Sequence, residues 1–164
     1  MKIAYAFRSA VFHPYRQEGL ALPPGEVRGR YLAKVTSLGF EGLELGVESL
    51  GGLDASEEAV RELGRELAEA GVPCLAIRGG GGLHHPWVAA RNRRALEKVV
   101  QMAAWIGAGV VNTTAITPPT SPDGPGAFVG EPVSQGSSRL ASEADFQVTA
   151  RGLSEVADMA AGLG

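Results

Sequence analysis

Six polar residues lie at the ends of short apolar segments or in the loops that follow them, where their side chains could contact a small polar substrate. They are Glu44, Arg78, His13, His84, His85 and Asn112. A carboxylate accepts hydrogen bonds, guanidinium and amide groups donate them, and imidazole exchanges a proton near neutral pH. We predict that these residues bind substrate, and the sequence assigns none of them a catalytic role.

Glu44 lies in the apolar segment FEGLELG, residues 40–46. Successive side chains of a strand point to opposite faces, so Glu44 shares its face with two glycines while Leu43 and Leu45 share the other. We expect Glu44 to face a ligand, where it could bond a hydroxyl or orient a catalytic group. The alternative is a structural ion pair with Arg8 or Arg78.

The other five candidates also have ordinary interpretations. Arg78 precedes four glycines and could grip phosphate or carboxylate, although the GxGxxG spacing of a dinucleotide site is missing and a flexible loop explains the glycines equally well. The histidines are in loops, where histidine is a common surface residue. Asn112 and Thr114 share one strand face and could both donate hydrogen bonds.

The elements that position these residues repeat along the chain. Four times, a short apolar run is followed by a polar loop and a helical pattern, and glycines at 39, 71 and 107 end the first three helices. A period of about 30 to 40 residues is typical of βα repeats. The sequence therefore predicts an α/β fold with a parallel (βα)4 arrangement.

Each helix is predicted from an apolar stripe or a cap. The stripes are Val27, Tyr31, Val35 and Leu38; Val60, Leu63, Leu67 and Ala70; and Leu96, Val99, Ala103 and Ile106. Asp54 with Glu57 resembles a capping box for the second helix, and Ser142 is the predicted N-cap of the fourth, which runs to about Ala161.

The loops that follow strands are long, whereas those that lead into strands have one or two residues. In parallel α/β folds, ligands bind beyond the carboxyl ends of the strands, where the long loops lie. The segment 117–141 is rich in Pro, Gly and Ser and is predicted to act as a lid, with a tolerated surface insertion as the alternative.

Composition predicts one globular domain over residues 1–164. The net charge of −3 gives no reason to expect nucleic acid or an acidic membrane as a partner, and the single cysteine, Cys74, excludes an internal disulfide and a cysteine-based zinc site. The sequence contains neither an apolar run of about 20 residues nor the apolar core of a signal peptide, so we expect no membrane span and a cytoplasmic location.

Several phrases together resemble the first half of a xylose isomerase-like TIM barrel, the superfamily of sugar isomerases, sugar epimerases and endonuclease-IV-like enzymes. They are MKIAYAF (1–7), SLGFEGLEL (37–45), ELAEAGVPCLAIRG (66–79) and RRALEKVVQMAAWIGAGVV (93–111). A TIM barrel has eight βα units in about 250 residues. The resemblance therefore implies that the chain is the N-terminal half of a (βα)8 barrel, truncated relative to a longer protein.

The resemblance also implies a function and a metal. In the metal-dependent members, two Glu, an Asp and a His on the later strands bind the ion. We thus expect a divalent metal (Mn, Mg, Co or Zn) in the full-length protein only and none in this chain. The expected full-length protein is a sugar or sugar-phosphate isomerase or epimerase, and this chain forms part of its substrate pocket. We expect the chain alone to be inactive.

Two alternatives remain from the sequence. One is a non-catalytic half-barrel that binds a polyol, or that assembles with the missing C-terminal half or with a copy of itself. The other is an endonuclease-IV-like nuclease, in which histidines near the ends of strands 3 and 4 bind metal. Strand 4 offers Asn112 instead of histidine, and the acidic balance does not favour a nucleic-acid groove.

Overall fold

A parallel sheet and the helices that alternate with its strands make up the described part of the chain. The structure is a computed structural model that describes residues 2–7, 21–84, 88–114 and 141–163. Within these residues the strands are β1 (Ala4–Ala6), β2 (Gly42–Gly46), β3 (Cys74–Arg78) and β4 (Val110–Asn112). The helices are α1 (Gly25–Ser37), α2 (Glu57–Glu69), α3 (Ala89–Ile106) and α4 (Glu143–Ala161), and a short 3-10 helix, Val47–Leu50, follows β2.

The strands lie in the order β1-β2-β3-β4, and every neighbouring pair is parallel. Each strand is followed by an α-helix in the chain. This order and alternation are those of half of a (βα)8 barrel, so the predicted (βα)4 arrangement is confirmed.

The described residues divide into two compact units. The first is Met1–Arg78 with Met102–Asn112 and contains the whole sheet, α1 and α2. The second is Gly79–Gln101 with Thr113–Gly164 and contains most of α3 and all of α4. One domain over 1–164 stays a prediction, and the predicted lid lies outside the described residues except for Ala141.

The core of the first unit is formed by alternate residues of the strands and one face of each helix. Leu43, Leu45 and Ile77 are fully buried, as expected for the strand face that packs on helices. In α2 the predicted stripe is buried at Val60, Leu63 and Leu67, whereas Ala70 is exposed and caps the helix.

The predicted face of α1 is wrong at both ends. Tyr31 and Val35 are buried as expected, but Leu32 joins them, whereas Val27 is 38% exposed and Leu38 is 51% exposed. Leu38 lies beyond the last helical residue with φ −90° and ψ 0°, so the 3.6-residue period no longer sets its direction. Nothing in the structure explains the exposure of Val27.

The N-cap of α2 differs from the predicted one. Ser56, not Asp54, is the N-cap, and its side chain accepts a hydrogen bond from the backbone N–H of Ala59 at 3.3 Å. The helix begins at Glu57, so Asp54 lies too early in the chain to reach its free N–H groups. Gly39, Gly71 and Gly107 follow the first three helices with φ between +77° and +84°, which confirms them as terminators.

The second unit follows the predicted helix pattern closely. Leu96 and Val99 of α3 are buried, as are Ala103 and Ile106 in the part of α3 that belongs to the first unit. Ser142 caps α4 in a capping box: its side chain accepts from the N–H of Asp145, whose carboxylate accepts from the N–H of Ser142. Within the described residues, no helix is long and apolar enough to cross a membrane.

A bulge in β3 sets the faces of the sheet. Leu43 pairs with Cys74, but the next residue, Glu44, pairs with Ala76, so Leu75 is an extra residue on β3. This bulge needs a glycine opposite it. A Cβ on Gly42 would lie 2.5 Å from Leu75 Cγ and 2.6 Å from the backbone oxygen of Pro73, closer than a Cβ approaches either atom without a clash.

Candidate substrate-binding site

Glu44 and Arg78 form an ion pair at the carboxyl ends of β2 and β3. Nη1 of Arg78 donates to Oε1 of Glu44 at 2.8 Å, and Nη2 donates to the backbone oxygen of Phe7 at 3.1 Å. The side chains are 16% exposed for Glu44 and 26% exposed for Arg78. One guanidinium thus joins the carboxyl ends of β1, β2 and β3. The ion pair with Arg78, which the sequence left as the alternative to a ligand contact by Glu44, is present.

The β3 bulge is the reason that these two side chains share a face. After the bulge Arg78 pairs with Gly46, two residues beyond Glu44 on the same strand face. Without the extra Leu75, Arg78 would be one residue out of this register, and its side chain would point to the helix-packed face. As predicted, Glu44 occupies the face opposite the buried Leu43 and Leu45.

Asn112 is the third predicted residue at this place. It pairs with Arg78 across β3 and β4, which sets it on the same face of the sheet. Its Nδ2 lies 3.5 Å from both carboxylate oxygens of Glu44, at the outer limit of a hydrogen bond. The amide is therefore near enough to share a ligand with Glu44 and is not strongly engaged by it.

Glu48, in the 3-10 helix after β2, adds a second carboxylate that the sequence reasoning missed. A Cβ on Gly46 would lie 2.4 Å from Oε2 of Glu48 and 3.4 Å from Nη2 of Arg78. The Glu48 carboxylate therefore lies against the bare backbone of Gly46 beside the guanidinium. The spacing Glu44–Gly46–Glu48, two carboxylates flanking a glycine at a strand end, is the sequence signal that could have revealed it.

These residues are called the Glu44 cluster below: Glu44, Glu48, Arg78 and Asn112. All of them belong to the first compact unit. Together they offer two carboxylates as acceptors and a guanidinium and an amide as donors, a mixture that can bind neighbouring hydroxyl groups of one small molecule.

Of the three predicted histidines, only His84 is among the described residues. His13 and His85 lie outside the described residues. His84 belongs to the second compact unit and is only 7% exposed, so it is a buried residue there and not a surface one. A substrate contact by any of the three stays a prediction.

The residues of the described part do not fit a divalent metal site. Across 2–7, 21–84, 88–114 and 141–163, no three His, Cys, Asp or Glu side chains come together as a metal would require. In the Glu44 cluster one of the two carboxylates is already bound by a guanidinium, which competes with a cation for the same oxygen. No chemical step is therefore derived through a metal in this chain.

Comparisons with known proteins agree on the fold. A family model described as a xylose isomerase-like TIM barrel matches residues 32–164. The chain is similar to the apo crystal structure of 3-keto-D-glucoside 4-epimerase from E. coli, with a TM-score of 0.61 and 16% identity over 100% of this chain and 53% of that one. Comparison with curated protein sequences finds no match.

Two further solved structures are similar. One, from Rhodospirillum rubrum and assigned as a xylose isomerase, has a TM-score of 0.67 and 13% identity over 100% of this chain and 51% of that one. The other is a xylose isomerase domain protein from Planctomyces limnophilus, with a TM-score of 0.55 and 14% identity over 81% of this chain and 46% of that one. The chain spans about half the length of these proteins, and such low identities show the fold alone.

Proposed function

The chain belongs to the xylose isomerase-like TIM barrel family, and on that premise we propose that it forms the N-terminal part of a sugar isomerase or epimerase. The observation that carries the proposal is the Glu44 cluster, which stands on one sheet face at the carboxyl ends of three neighbouring strands. In this fold that end of the sheet is where substrate binds.

The cluster is suited to holding a sugar by its hydroxyl groups. Arg78 donates to Oε1 of Glu44, which leaves Oε2 to accept from a ligand hydroxyl. Asn112 Nδ2, 3.5 Å from that oxygen, can donate to a neighbouring ligand oxygen. Two adjacent hydroxyl groups would then bind one acceptor, Glu44 Oε2, and one donor, Asn112 Nδ2. Because these two atoms are held at a fixed separation, they orient the sugar ring or chain.

Proton transfer is proposed to depend on residues beyond this chain. The described residues supply acceptors and donors at one wall of a pocket, and the related solved structures are about twice as long. We propose that four further βα units complete the barrel and supply the metal ligands and the groups that move the proton next to a carbonyl.

Binding of neutral sugars to the chain tests the proposal directly. Uniformly ¹⁵N-labelled chain is titrated with D-glucose, D-fructose and D-xylose, and the amide signals of Gly46, Arg78 and Asn112 are followed. We expect these signals to shift in the chain and not in a Glu44→Gln variant, since an amide cannot replace the ion pair that orients the site. Shifts confined to residues remote from the cluster would contradict the proposal.

The activity of the chain alone tests whether catalysis depends on residues beyond this chain. We expect no isomerase or epimerase turnover by the purified chain with Mn²⁺, Mg²⁺ or Co²⁺, because the described residues form no metal site. Metal-dependent turnover that follows the chain through purification would contradict this.

A second candidate is a half-barrel that assembles without catalysis. The observation in its favour is Val110, an apolar side chain of the end strand β4 that is 56% exposed. The sequence encoded after residue 164 separates the two candidates. Glu, Asp, His and Glu at successive strand ends there support the enzyme, and their absence supports the assembly module.

A further inference from the structure

The charges around Arg78 bear on the kind of sugar that the Glu44 cluster accepts. Arg78 is bonded by the Glu44 carboxylate, and the Glu48 carboxylate lies beside it against Gly46. Among the described residues the cluster therefore combines two negative charges with one positive charge, and Asn112 adds none.

Two of the five N–H groups of the guanidinium are already in use. Nη1 donates to Glu44 and Nη2 donates to the oxygen of Phe7, one bond from each terminal nitrogen. Arginine grips a phosphate by presenting two parallel N–H groups to it. A phosphate at Arg78 would have to displace the Glu44 carboxylate or approach both carboxylates closely.

We propose that the Glu44 cluster selects neutral, unphosphorylated sugars and excludes phosphate groups, an inference that rests on the proposed function. Glu44 and Glu48 are the specificity-determining residues. Glu44 engages Arg78, and the two carboxylates leave a negative balance that repels a phosphate dianion but not a neutral hydroxyl group.

The expected discrimination is large enough to measure. Glu48 is exposed, so solvent and salt screen its charge. A dianion within about 5 Å of this carboxylate is disfavoured by about 5- to 15-fold in affinity relative to a neutral group. Matched pairs of ligands isolate this effect, because D-glucose and D-glucose 6-phosphate, or D-fructose and D-fructose 6-phosphate, differ only in the phosphate.

The experiment measures binding of these pairs and of inorganic phosphate by calorimetry and by the amide signals of Gly46 and Asn112. We expect the chain to bind the neutral sugars and to show no binding of inorganic phosphate at millimolar concentration. In Glu44→Gln/Glu48→Gln, Arg78 is released, and we expect affinity for inorganic phosphate to rise at least about tenfold and to fall again with salt. Adding Arg78→Met to this variant should remove the gain.

A matched control separates the site from a general change in charge. Glu58 and Glu69 are exposed residues of α2, and Glu58→Gln/Glu69→Gln alters the net charge by the same amount. We expect the control to leave phosphate binding unchanged. If the thermal transition shows that the Glu44→Gln/Glu48→Gln variant does not fold, the Glu48→Gln variant alone is measured. Glu48 is exposed, so this change should not prevent folding, and we expect a smaller gain in affinity for inorganic phosphate.

The outcomes separate this inference from the proposed function. If the unaltered chain binds a phosphorylated sugar as tightly as the matching neutral sugar, or binds inorganic phosphate as tightly as it binds the neutral sugars, the inference is overturned. The sugar-binding function would still stand. An equal gain in the α2 control would also overturn the inference. The inference is supported if the unaltered chain rejects phosphate, the Glu44→Gln/Glu48→Gln variant gains phosphate affinity, and Arg78→Met removes that gain. If no neutral sugar binds in the same experiment, the proposed function fails instead.

Discussion

Arg78 of β3 donates from Nη1 to Oε1 of Glu44 on β2 at 2.8 Å, and both side chains are less than one-third exposed. The two residues are 34 positions apart in sequence, and the pair forms only because the β3 bulge turns Arg78 to the face of Glu44. The same guanidinium also bonds the backbone of Phe7, so it is both a part of the candidate site and a tie between strand ends.

Removal of Arg78 is expected to destabilise the chain. Arg78→Met leaves the half-buried Glu44 carboxylate and the Phe7 oxygen without this donor, and we expect a loss of about 1–3 kcal/mol in the free energy of unfolding. Arg61→Met is the control, since its i,i+4 pair with Glu57 is about half exposed on both sides and should cost less than about 0.5 kcal/mol. Urea denaturation measures both, and equal losses would contradict a structural role of the Arg78 pair.

Gly42 is expected to tolerate no side chain. Gly42→Ala places a Cβ 2.6 Å from the backbone oxygen of Pro73, which cannot move without disturbing β3, and we expect a loss of about 1–3 kcal/mol. Gly29→Ala is the matched control, because Gly29 lies inside α1 with open space around its Cβ position. There alanine should stabilise the helix by up to about 1 kcal/mol. Thermal unfolding of the two variants should move in opposite directions, and a shared direction would contradict the bulge packing.

Gly46→Ala is expected to change binding more than stability. Gly46 has φ −78° and ψ 157°, a conformation open to alanine, and the nearest atom to the new Cβ is the flexible end of Glu48. We expect unfolding to change by less than about 0.5 kcal/mol, while displacement of Glu48 weakens sugar binding in the amide titration. Unchanged binding would show that Glu48 has no place in the site, and a strongly destabilised variant would show that Glu48 cannot move aside.

Cys74 is expected to resist modification until the chain unfolds. Its side chain is 2% exposed, and burial raises the pKa of the thiol to about 12, with Sγ donating to the Ala76 oxygen at 3.3 Å. Since only the thiolate reacts, labelling by a disulfide reagent at pH 8 should be slow and should follow the unfolding transition in urea. Rapid labelling of the folded chain would contradict the burial.

The same thiol predicts how stability changes at high pH. In the unfolded chain the thiol ionises at about pH 8.5, whereas in the folded chain it keeps its proton to higher pH. Its contribution is therefore complete below about pH 8.5 and is lost as pH rises toward 12. Cys74→Ser lacks a group that titrates in this window, so the fall in stability across it should be smaller in that variant.

The exposed apolar side chain of Val110 is expected to drive association. Val110, at the end of the strand order, is 56% exposed and pairs with Ala76 in the row that contains Glu44. Burial of apolar surface is favourable by about 25 cal/mol per Å², so an associated state that covers Val110 is stabilised. We expect sedimentation to show dimers, larger oligomers or aggregation.

A polar substitution provides the control for this association. Val110→Ser should shift the chain toward monomer, whereas Val27→Ser, at a 38% exposed position of α1, should not. A monodisperse monomer with a high melting temperature would show that the sheet is self-sufficient and that the half-barrel needs no partner surface.

The alternation of strands and helices was determined by the sequence itself. The apolar runs, the stripe of α3, the glycines that end three helices and the Ser142 cap act within a few residues, so their physical causes are local and visible in the letters. The face of Glu44 was predictable for the same reason, because side chains alternate along any strand.

The contacts of Glu44 were decided only by the tertiary structure. The sequence left Arg8 and Arg78 as equal partners and did not indicate Glu48, and it placed the cap of α2 at Asp54 and not at Ser56. Which residues pair across β2 and β3 depends on the bulge at Leu75, and this bulge is set by packing between segments about 30 residues apart. Local periodicity carries no information about such register, because a shift of one residue leaves every local preference unchanged and reverses every face.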